Sequence, residues 1–291
     1  MSAPTPVPRS LVWATALDVL SPDRVIEQRA GHLVVRSPGN PAYYWGNLLL
    51  FDDAPGPGDG PRWEALFDAE FADEPRVEHR TFGWDRIDGR AGAAREEFGE
   101  RRYVVSENVG LVADAAQLAA HARENREVEI RTLDPAIGAD GALWDAVVEL
   151  QHGNTDDDGL ADDEHRLFLR TRLDGLRALF RAGGGDWYVA IDPESGDVVA
   201  SCGVVVTAGR GRFQLVDTAL AHRRRGISSR LVVEAASRAT SDHGAMRFVI
   251  EADADYHALG LYESLGFERA EVVVGVCLLP DQRRASSTES A

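Results

Sequence analysis

The amino-acid sequence predicts an α+β fold arranged as two successive domains. Short segments rich in β-branched and aromatic residues alternate with segments whose apolar residues recur every three or four positions. Clusters of Gly, Pro, Asn and Asp separate these segments. The order strand, loop, helix, strand, helix, strand occurs once in each half of the 291-residue chain, which is long enough for two domains of ordinary size.

The first predicted domain covers residues 1–114. Its first ten residues are proline-rich and are expected to be disordered, and residues 11–30 follow as a helical or mixed segment. Residues 43–51 predict a strand, in which Tyr43, Tyr44 and Trp45 are interpreted as core residues or, alternatively, as part of an acceptor surface. The other expected elements are strands over 32–37, 76–84 and 102–113 and helices over 62–71 and 90–98.

The second predicted domain covers residues 127–280. An alanine-rich segment at 115–126 predicts a helix that connects it to the first domain, and residues 281–291 are expected to form a disordered tail. Its expected elements are strands over 127–133, 187–191, 198–207, 213–218, 248–252 and 269–279 and helices over 142–151, 165–183, from 231 onward, and over 258–264.

Composition and charge exclude several classes of function. The net charge of −17 argues against general nucleic-acid binding, which requires a basic surface, and it is compatible with a cationic acceptor. No apolar run approaches the roughly 18 residues of a membrane span, and the first residues lack the layout of a secretory signal. We therefore expect a cytoplasmic protein without a nucleic-acid or membrane partner.

The chain has two cysteines, Cys202 and Cys277, each inside an apolar run. Buried free thiols are the favoured interpretation, with a disulfide or a reactive thiol as alternatives. Neither these cysteines nor the histidines have metal-ligand spacing, so we expect no metal.

The segment Phe213 to Leu231 predicts a strand, a basic turn and a helix start in direct succession. The first amides of a helix have no partner inside the helix, and the helix dipole favours negative charge there. Gly226 lets the backbone approach a ligand closely, and three arginines precede it. The segment therefore predicts an anion-binding site.

Two motifs in this half resemble those of the GCN5-related N-acetyltransferases (GNAT). Arg223, Gly226 and Ser228 fill the pyrophosphate loop [Q/R]-x-x-G-x-[G/A], with serine in place of Gly or Ala at its end. Residues 256–267, YHALGLYESLGF, resemble the family's A-x-x-L-Y-x-x-x-G-F signature. The element order from 127 to 279 is also that of the family.

The resemblance implies a GNAT fold, that is, a mixed and mostly antiparallel twisted sheet flanked by helices, with acetyl-CoA as the acyl donor. Val216 and Thr218 are implied to hold the pantetheine arm through their backbone, and the family's asparagine seven residues before the tyrosine is Asp255 here. The loop residues implied to hold the pyrophosphate are Arg223, Arg224, Arg225, Gly226, Ile227, Ser228 and Ser229.

The resemblance also implies catalytic residues. Tyr262 is the candidate general acid, because a phenol, with a pKa of about 10, is suited to protonate a thiolate leaving group; packing of the helix on the sheet is the alternative. Asp217 is the candidate general base, with Gln214 as a neighbour that positions water. Water or a histidine such as His152 is an alternative base, and Asp217 alternatively serves as a surface or cap residue.

The N-terminal half shows a fainter version of the same order, without the pyrophosphate loop or a counterpart of Tyr262. We interpret it as a degenerate GNAT-like domain, so that the chain has two tandem domains; an unrelated α+β domain is the alternative. The acidic residues 155–164 are expected near the acceptor cleft, either attracting a cationic amine or forming a solvated loop with a helix cap.

The sequence thus predicts an N-acetyltransferase acting on a small-molecule or peptide amine, as a monomer or a homodimer. The alternatives are a non-catalytic acyl-CoA sensor and an interaction protein with a vestigial site.

Overall fold

The structure is a computed structural model that describes residues 7–118, 125–154, 162–254 and 258–283. It has the predicted α+β architecture. In chain order, its helices and strands are α1 (Leu11–Asp18), β1 (Val25–Arg29), β2 (His32–Arg36), β3 (Leu48–Phe51), α2 (Asp59–Glu70), β4 (Arg80–Trp84), α3 (Ala94–Gly99), β5 (Val104–Asp114), β6 (Glu129–Thr132), α4 (Gly141–Asn154), α5 (Asp162–Arg181), β7 (Gly185–Ile191), β8 (Val198–Thr207), β9 (Arg210–Thr218), α6 (Ile227–His243), β10 (Arg247–Asp253), α7 (Ala258–Ser264) and β11 (Glu268–Leu278).

The described residues divide into two compact units. Unit 1 holds those up to Gly110 and from Ala270 onward, together with Asp253 and Ala254. Unit 2 holds those from Leu111 to Ala252 and from Ala258 to Arg269. Most of the last strand, β11, therefore belongs to unit 1.

The sheet of unit 1 has the strand order β1-β2-β3-β4-β11. Pairing is antiparallel except between β3 and β4, which are parallel and are joined through α2. Because side chains alternate along a strand, Leu48 and Leu50 pack in one core cluster with α1, whereas Leu49 and Phe51 pack in the other cluster with α2 and α3. Trp63 of α2 stacks on Phe51 at 3.7 Å, which anchors the helix to the sheet.

The sheet of unit 2 repeats this plan. Its order is β6-β7-β8-β9-β10, antiparallel throughout except for the parallel pair β9 and β10, which are joined through α6. The rings of Trp187 on β7 and Trp144 on α4 pack with their centroids 5.9 Å apart. Gly203 of β8 provides space, because a Cβ there would lie 2.6 Å from the Trp187 ring.

The prediction of a strand over residues 43–51 is wrong in its first half. Tyr44–Gly46 form a 3-10 turn, and the strand begins only at Leu48. The reason is the buried Asn47 side chain, whose Nδ2 donates to the carbonyls of Asn40 and Tyr43, each at 3.0 Å. An Asn side chain that captures nearby backbone groups competes with a ladder of strand hydrogen bonds.

The aromatic side chains of this segment pack within unit 1. Trp45 lies 5.9 Å from Trp13 of α1, and Tyr44 lies 4.8 Å from the ring of the buried His79. Tyr43, Tyr44 and Trp45 are half-buried, so these rings pack against the core predicted for them rather than inside it.

Other boundaries also differ from the predictions. The mixed segment 11–30 resolves into α1 and β1, and β4 begins at Arg80 rather than at residue 76. Half of the predicted connecting helix at 115–126 falls on residues 119–124, which lie outside the described residues. The described residues 115–118 and 125–126 are not helical, and the Gln117 amide closes a turn on the Asp114 carbonyl at 2.9 Å.

Both cysteines are buried free thiols, as the favoured interpretation predicted. Burial raises the pKa of the Cys277 thiol to about 11, so it is unreactive at neutral pH. Of the helices described in the structure, none is both long and apolar enough to cross a membrane.

Candidate functional site

Strand β9 of unit 2 is interrupted by a bulge next to the predicted site residues. Leu215 has a φ of 48°, and Leu215 and Val216 together stand opposite Cys202 of β8, where the register shifts. Such a bulge bends a strand and increases its twist. The bulge is held by Gln151 of α4, whose buried side-chain amide donates to the Leu215 carbonyl at 3.0 Å.

Beyond this point β9 and β10 separate. Their parallel pairing covers Arg210–Arg212 and Arg247–Val249 only, although β9 continues to Thr218 and β10 to Asp253. Within the described residues, the bulged part of β9 therefore has no ladder on its β10 side. An unpaired strand edge of this kind can bind an extended ligand through its backbone.

The loop from Arg223 to Ser229 joins this open end to α6. Arg224 and Gly226 have φ values of 64° and 81°, and Gly226 is the N-cap of α6 without a side-chain cap. When left-handed residues alternate along a turn, successive backbone amides point into one concavity, and such a concavity suits an anion. The first-turn amides of α6, at Ile227 and Ser228, add to this positive end.

The three arginines of the loop have different environments. Arg223 donates from Nε to the Thr218 carbonyl at 3.1 Å, and Arg225 forms an ion pair with Glu127 at 2.5 Å. The exposed Arg224 makes no hydrogen bond or ion pair with any residue that the structure describes. Of the three, Arg224 is thus the guanidinium available to an incoming anion.

Asp217 lies between α4 and this loop. Its Oδ1 accepts a hydrogen bond from Asn154 Nδ2 at 2.8 Å and lies 3.9 Å from Arg223 Nη2. Burial raises the pKa of Asp217 to about 6, against the opposing effects of Asn154, Arg223 and the Thr218 amide. A carboxylate with this pKa accepts protons in the neutral range.

Thr218 is more enclosed than the resemblance implied. Its carbonyl accepts hydrogen bonds from both Asn154 and Arg223, each at 3.1 Å. Its hydroxyl is buried, and no described residue hydrogen-bonds to it.

The Gln214 side chain is also held by two hydrogen bonds. Its Oε1 accepts from Arg172 Nη2 of α5 at 2.8 Å, and its Nε2 donates to the Phe213 carbonyl at 2.8 Å.

Tyr262 is buried on α7, with 5% of its surface exposed. Its ring lies 6.1 Å from Phe267, and Phe267 in turn lies 6.1 Å from Phe213 of β9, so three rings connect α7 to the strand that carries Asp217. Asp255, the residue in the place of the family's asparagine, lies outside the described residues.

Of the acidic stretch 155–164, residues 155–161 also lie outside the described residues. Asp162, Asp163 and Glu164 form the first turn of α5, where the helix dipole favours negative charge.

Two residues at this site were not predicted from the sequence. One is Asn154, the hydrogen-bond donor to Asp217. The other is His165, whose Nδ1 lies 3.0 Å from Nδ1 of His152, the alternative base named above. The available signal was a polar Gln151 on the apolar side of the helix predicted at 142–151, which indicated that this face contacts buried polar groups.

Unit 1 starts its equivalent helix differently. Gly58, the N-cap of α2, has a φ of 83°, close to that of Gly226. The carboxylate of Glu97 from α3 accepts hydrogen bonds from the amides of Gly58 at 2.6 Å and Gly60 at 3.1 Å. A Cβ on Gly60 would lie 2.9 Å from the Glu97 carbonyl oxygen. The helix end that is open in unit 2 therefore carries an internal anion in unit 1.

Across the described residues, no group of three or more His, Cys, Asp or Glu side chains is arranged to hold a metal ion.

Comparisons with known proteins agree with this architecture. The sequence model of the acetyltransferase (GNAT) domain matches residues 183–269, which include β9, the loop, α6 and α7. No curated protein matches the chain in sequence.

Several solved structures share the fold over most of the chain. A conserved protein of unknown function from Staphylococcus epidermidis has a TM-score of 0.67 at 13% identity, covering 88% of this chain and 94% of its own. A GCN5-related N-acetyltransferase from Kribbella flavida has a TM-score of 0.61 at 15% identity, with coverages of 93% and 96%. A tandem GNAT protein from the clavulanic acid biosynthesis pathway has a TM-score of 0.56 at 16% identity, with coverages of 93% and 89%.

These likenesses confirm the predicted fold, and they extend it to the N-terminal half, where an unrelated α+β domain was the alternative. Residues 183–269 therefore match the acetyltransferase domain of the GNAT family in sequence, and the chain around them has the GNAT fold.

Proposed function

We propose that the chain is an acetyl-CoA-dependent N-acetyltransferase that acetylates a primary amine, either a small amine or an amino terminus, by direct attack of the amine. The observation that carries the proposal is the loop at residues 223–229, which presents left-handed Arg224 and Gly226 and the uncapped start of α6 at the open ends of β9 and β10.

The residues at this end fit acetyl-CoA. The loop amides and the Arg224 guanidinium suit a pyrophosphate, and the unpaired edge of β9 around Val216 suits an extended pantetheine arm. The donor, when bound, supplies the acetyl group as a thioester. Arg223 and Arg225 contribute through loop geometry, because their guanidinium groups bind Thr218 and Glu127.

Two side chains have the acid–base properties that the reaction needs. Asp217, with its pKa raised by burial to about 6, takes the proton from the acceptor ammonium and leaves a neutral amine for attack. The Tyr262 hydroxyl gives its proton to the departing thiolate. Both groups belong to unit 2, on β9 and on α7.

The acceptor class follows from charge. Asp217 is bound to the end of α4, and the next helix, α5, begins with three acidic residues at 162–164, in a protein of net charge −17. Negative charge near the acceptor site attracts an ammonium group by steering, so we propose a cationic amine as the acceptor.

The test is a panel of amines with acetyl-CoA, followed by detection of the released thiol and repeated with Tyr262→Phe. Release of one thiol per acetylated amine supports the proposal. Tight acetyl-CoA binding without thiol release on a panel that includes polyamines, amino sugars and peptides would contradict it.

A further inference from the structure

The last residue of α4, Asn154, contacts two acceptors on β9. Its Nδ2 donates to Asp217 Oδ1 at 2.8 Å and to the Thr218 carbonyl at 3.1 Å. A carboxylate and a carbonyl are both acceptors, so the amide nitrogen, rather than the amide oxygen, must face them. The orientation of the Asn154 side chain is thereby fixed.

A second side chain reaches the same two acceptors from the loop. Arg223 donates from Nε to the Thr218 carbonyl at 3.1 Å, and its Nη2 lies 3.9 Å from Asp217 Oδ1. Asn154 and Arg223 thus both lie at Oδ1 of Asp217, and the Thr218 backbone amide adds a hydrogen bond to the same carboxylate.

The end of α4 is itself locked to β9. Gln151, one turn before Asn154, donates to the Leu215 carbonyl at 3.0 Å and to the Ser201 hydroxyl at 3.3 Å. Residues three apart on a helix share a face, so Gln151 fixes the helix on the bulge and thereby places Asn154 over Asp217.

We propose that Asn154 is a positioning residue, which holds the Asp217 carboxylate through Oδ1 and so orients it to accept the proton of the acceptor amine. This inference rests on the proposed function for the identity of the proton donor. The contact between Asn154 and Asp217 is independent of the proposed function and is tested separately below.

The charged surroundings of Asp217 give the direction of the effect. Among the described residues, Arg223 is the charged group that acts on it. Arg172 of α5 is bound to Gln214, and His152 on α4 is paired with His165 on α5. Because a hydrogen bond to the ionised carboxylate favours ionisation, loss of the Asn154 amide raises the pKa of Asp217 further.

The experiment compares Asn154→Ala and Asn154→Asp with a control, Gln28→Ala, which removes a side-chain amide that hydrogen-bonds within the β1–β2 hairpin of unit 1. The carboxyl carbon of Asp217 is titrated by NMR in protein labelled with ¹³C-aspartate, with Asp217→Asn used to assign its signal. This measurement requires no turnover.

We expect the Asp217 midpoint to rise by about one pH unit in Asn154→Ala, which corresponds to one charge-assisted hydrogen bond. Asn154→Asp raises it by more, since a second carboxylate then adjoins the first. Gln28→Ala leaves the midpoint unchanged. The low-pH limb of the kcat/KM profile shifts by the same amount as the midpoint. At pH values below the midpoint, kcat/KM therefore falls about tenfold in Asn154→Ala. The Kd for acetyl-CoA is unchanged.

An Asp217 midpoint that is the same in the wild type and in a folded Asn154→Ala variant would overturn the inference. A shifted midpoint with an unshifted acid limb would overturn the role of Asn154 in the reaction. If no amine is acetylated, the proposed function fails, whereas the NMR titration still decides whether Asn154 controls Asp217.

Discussion

The Glu97 carboxylate of α3 accepts a hydrogen bond from the Gly58 amide, at 2.6 Å, at the start of α2. Gly58 and Gly226 open the crossover helices of the two units with nearly the same left-handed φ, 83° and 81°. In unit 1 this helix end is satisfied by a carboxylate of the chain itself. In unit 2 no described side chain caps this helix end, which is where we propose that acetyl-CoA binds.

Glu97→Ala is expected to destabilise the protein by about 1–3 kcal/mol, because the first-turn amides of α2 lose a charged acceptor. Glu97→Gln retains an acceptor oxygen and loses less. The exposed neighbour Glu96 provides the control, and Glu96→Ala should change the free energy of unfolding by no more than about 0.5 kcal/mol. Urea unfolding of the three variants measures the difference, and equal stabilities for Glu97→Ala and Glu96→Ala would contradict the cap.

Gly226→Ala is expected to weaken acetyl-CoA binding at least about tenfold (roughly 1.4 kcal/mol), because a Cβ strains the left-handed residue at the point where we propose that the backbone approaches the pyrophosphate. Gly244→Ala is the matched control: Gly244 ends the same helix with a φ of 68°, and a Cβ there meets no atom within 4 Å. Both variants lose stability through strain. Calorimetric titration with acetyl-CoA separates them, and equal Kd values would exclude the loop as the binding site.

Tyr262→Phe is expected to lose most of kcat with little change in the Kd for acetyl-CoA, because only the proton donor to the leaving thiolate is removed. The control removes a hydroxyl elsewhere in unit 2. Tyr188 is fully buried, and no described residue hydrogen-bonds to its hydroxyl, so Tyr188→Phe should retain activity and be at least as stable as the wild type. An unchanged kcat in Tyr262→Phe would leave Tyr262 as a packing residue.

Asp217→Asn is expected to stabilise the protein at neutral pH while abolishing most activity. Burial raises the pKa of Asp217 to about 6 from the ordinary value of 3.8 for an aspartate. The folded state therefore keeps a proton that the unfolded chain loses, and the wild type loses stability as the pH rises from about 4 to about 6. Above that pH range, ionisation of the buried Asp217 lowers the free energy of unfolding by its full amount, up to about 3 kcal/mol.

The asparagine variant carries no such penalty, so its advantage over the wild type should be largest near pH 8 and vanish near pH 3.5. Urea unfolding at both pH values measures it. Asp197→Asn, in the exposed turn between β7 and β8, is the control and should give a much smaller difference between the two pH values. An advantage of Asp217→Asn that is equal at both pH values would contradict a buried carboxylate with a raised pKa.

The sequence by itself determined the fold class and the position of the anion loop, because both depend on local signals. Alternating apolar residues and turn clusters located most strands and helices, and the Arg223–Gly226–Ser228 spacing marked a strand, turn and helix start. The same local signals failed at residues 43–47, where the aromatic content favoured a strand and the Asn47 side chain formed a turn instead.

Only the tertiary structure decided which polar groups meet. Asn154 and Asp217 are 63 positions apart, and no local pattern links the end of a helix to the bulge of a strand. Likewise, Glu97 and Gly58 are 39 positions apart, so the sequence showed a missing loop motif in the first half but not the carboxylate in its place. Hydrogen bonds over such separations depend on how the sheet and helices pack, and packing is a property of the whole chain rather than of any segment.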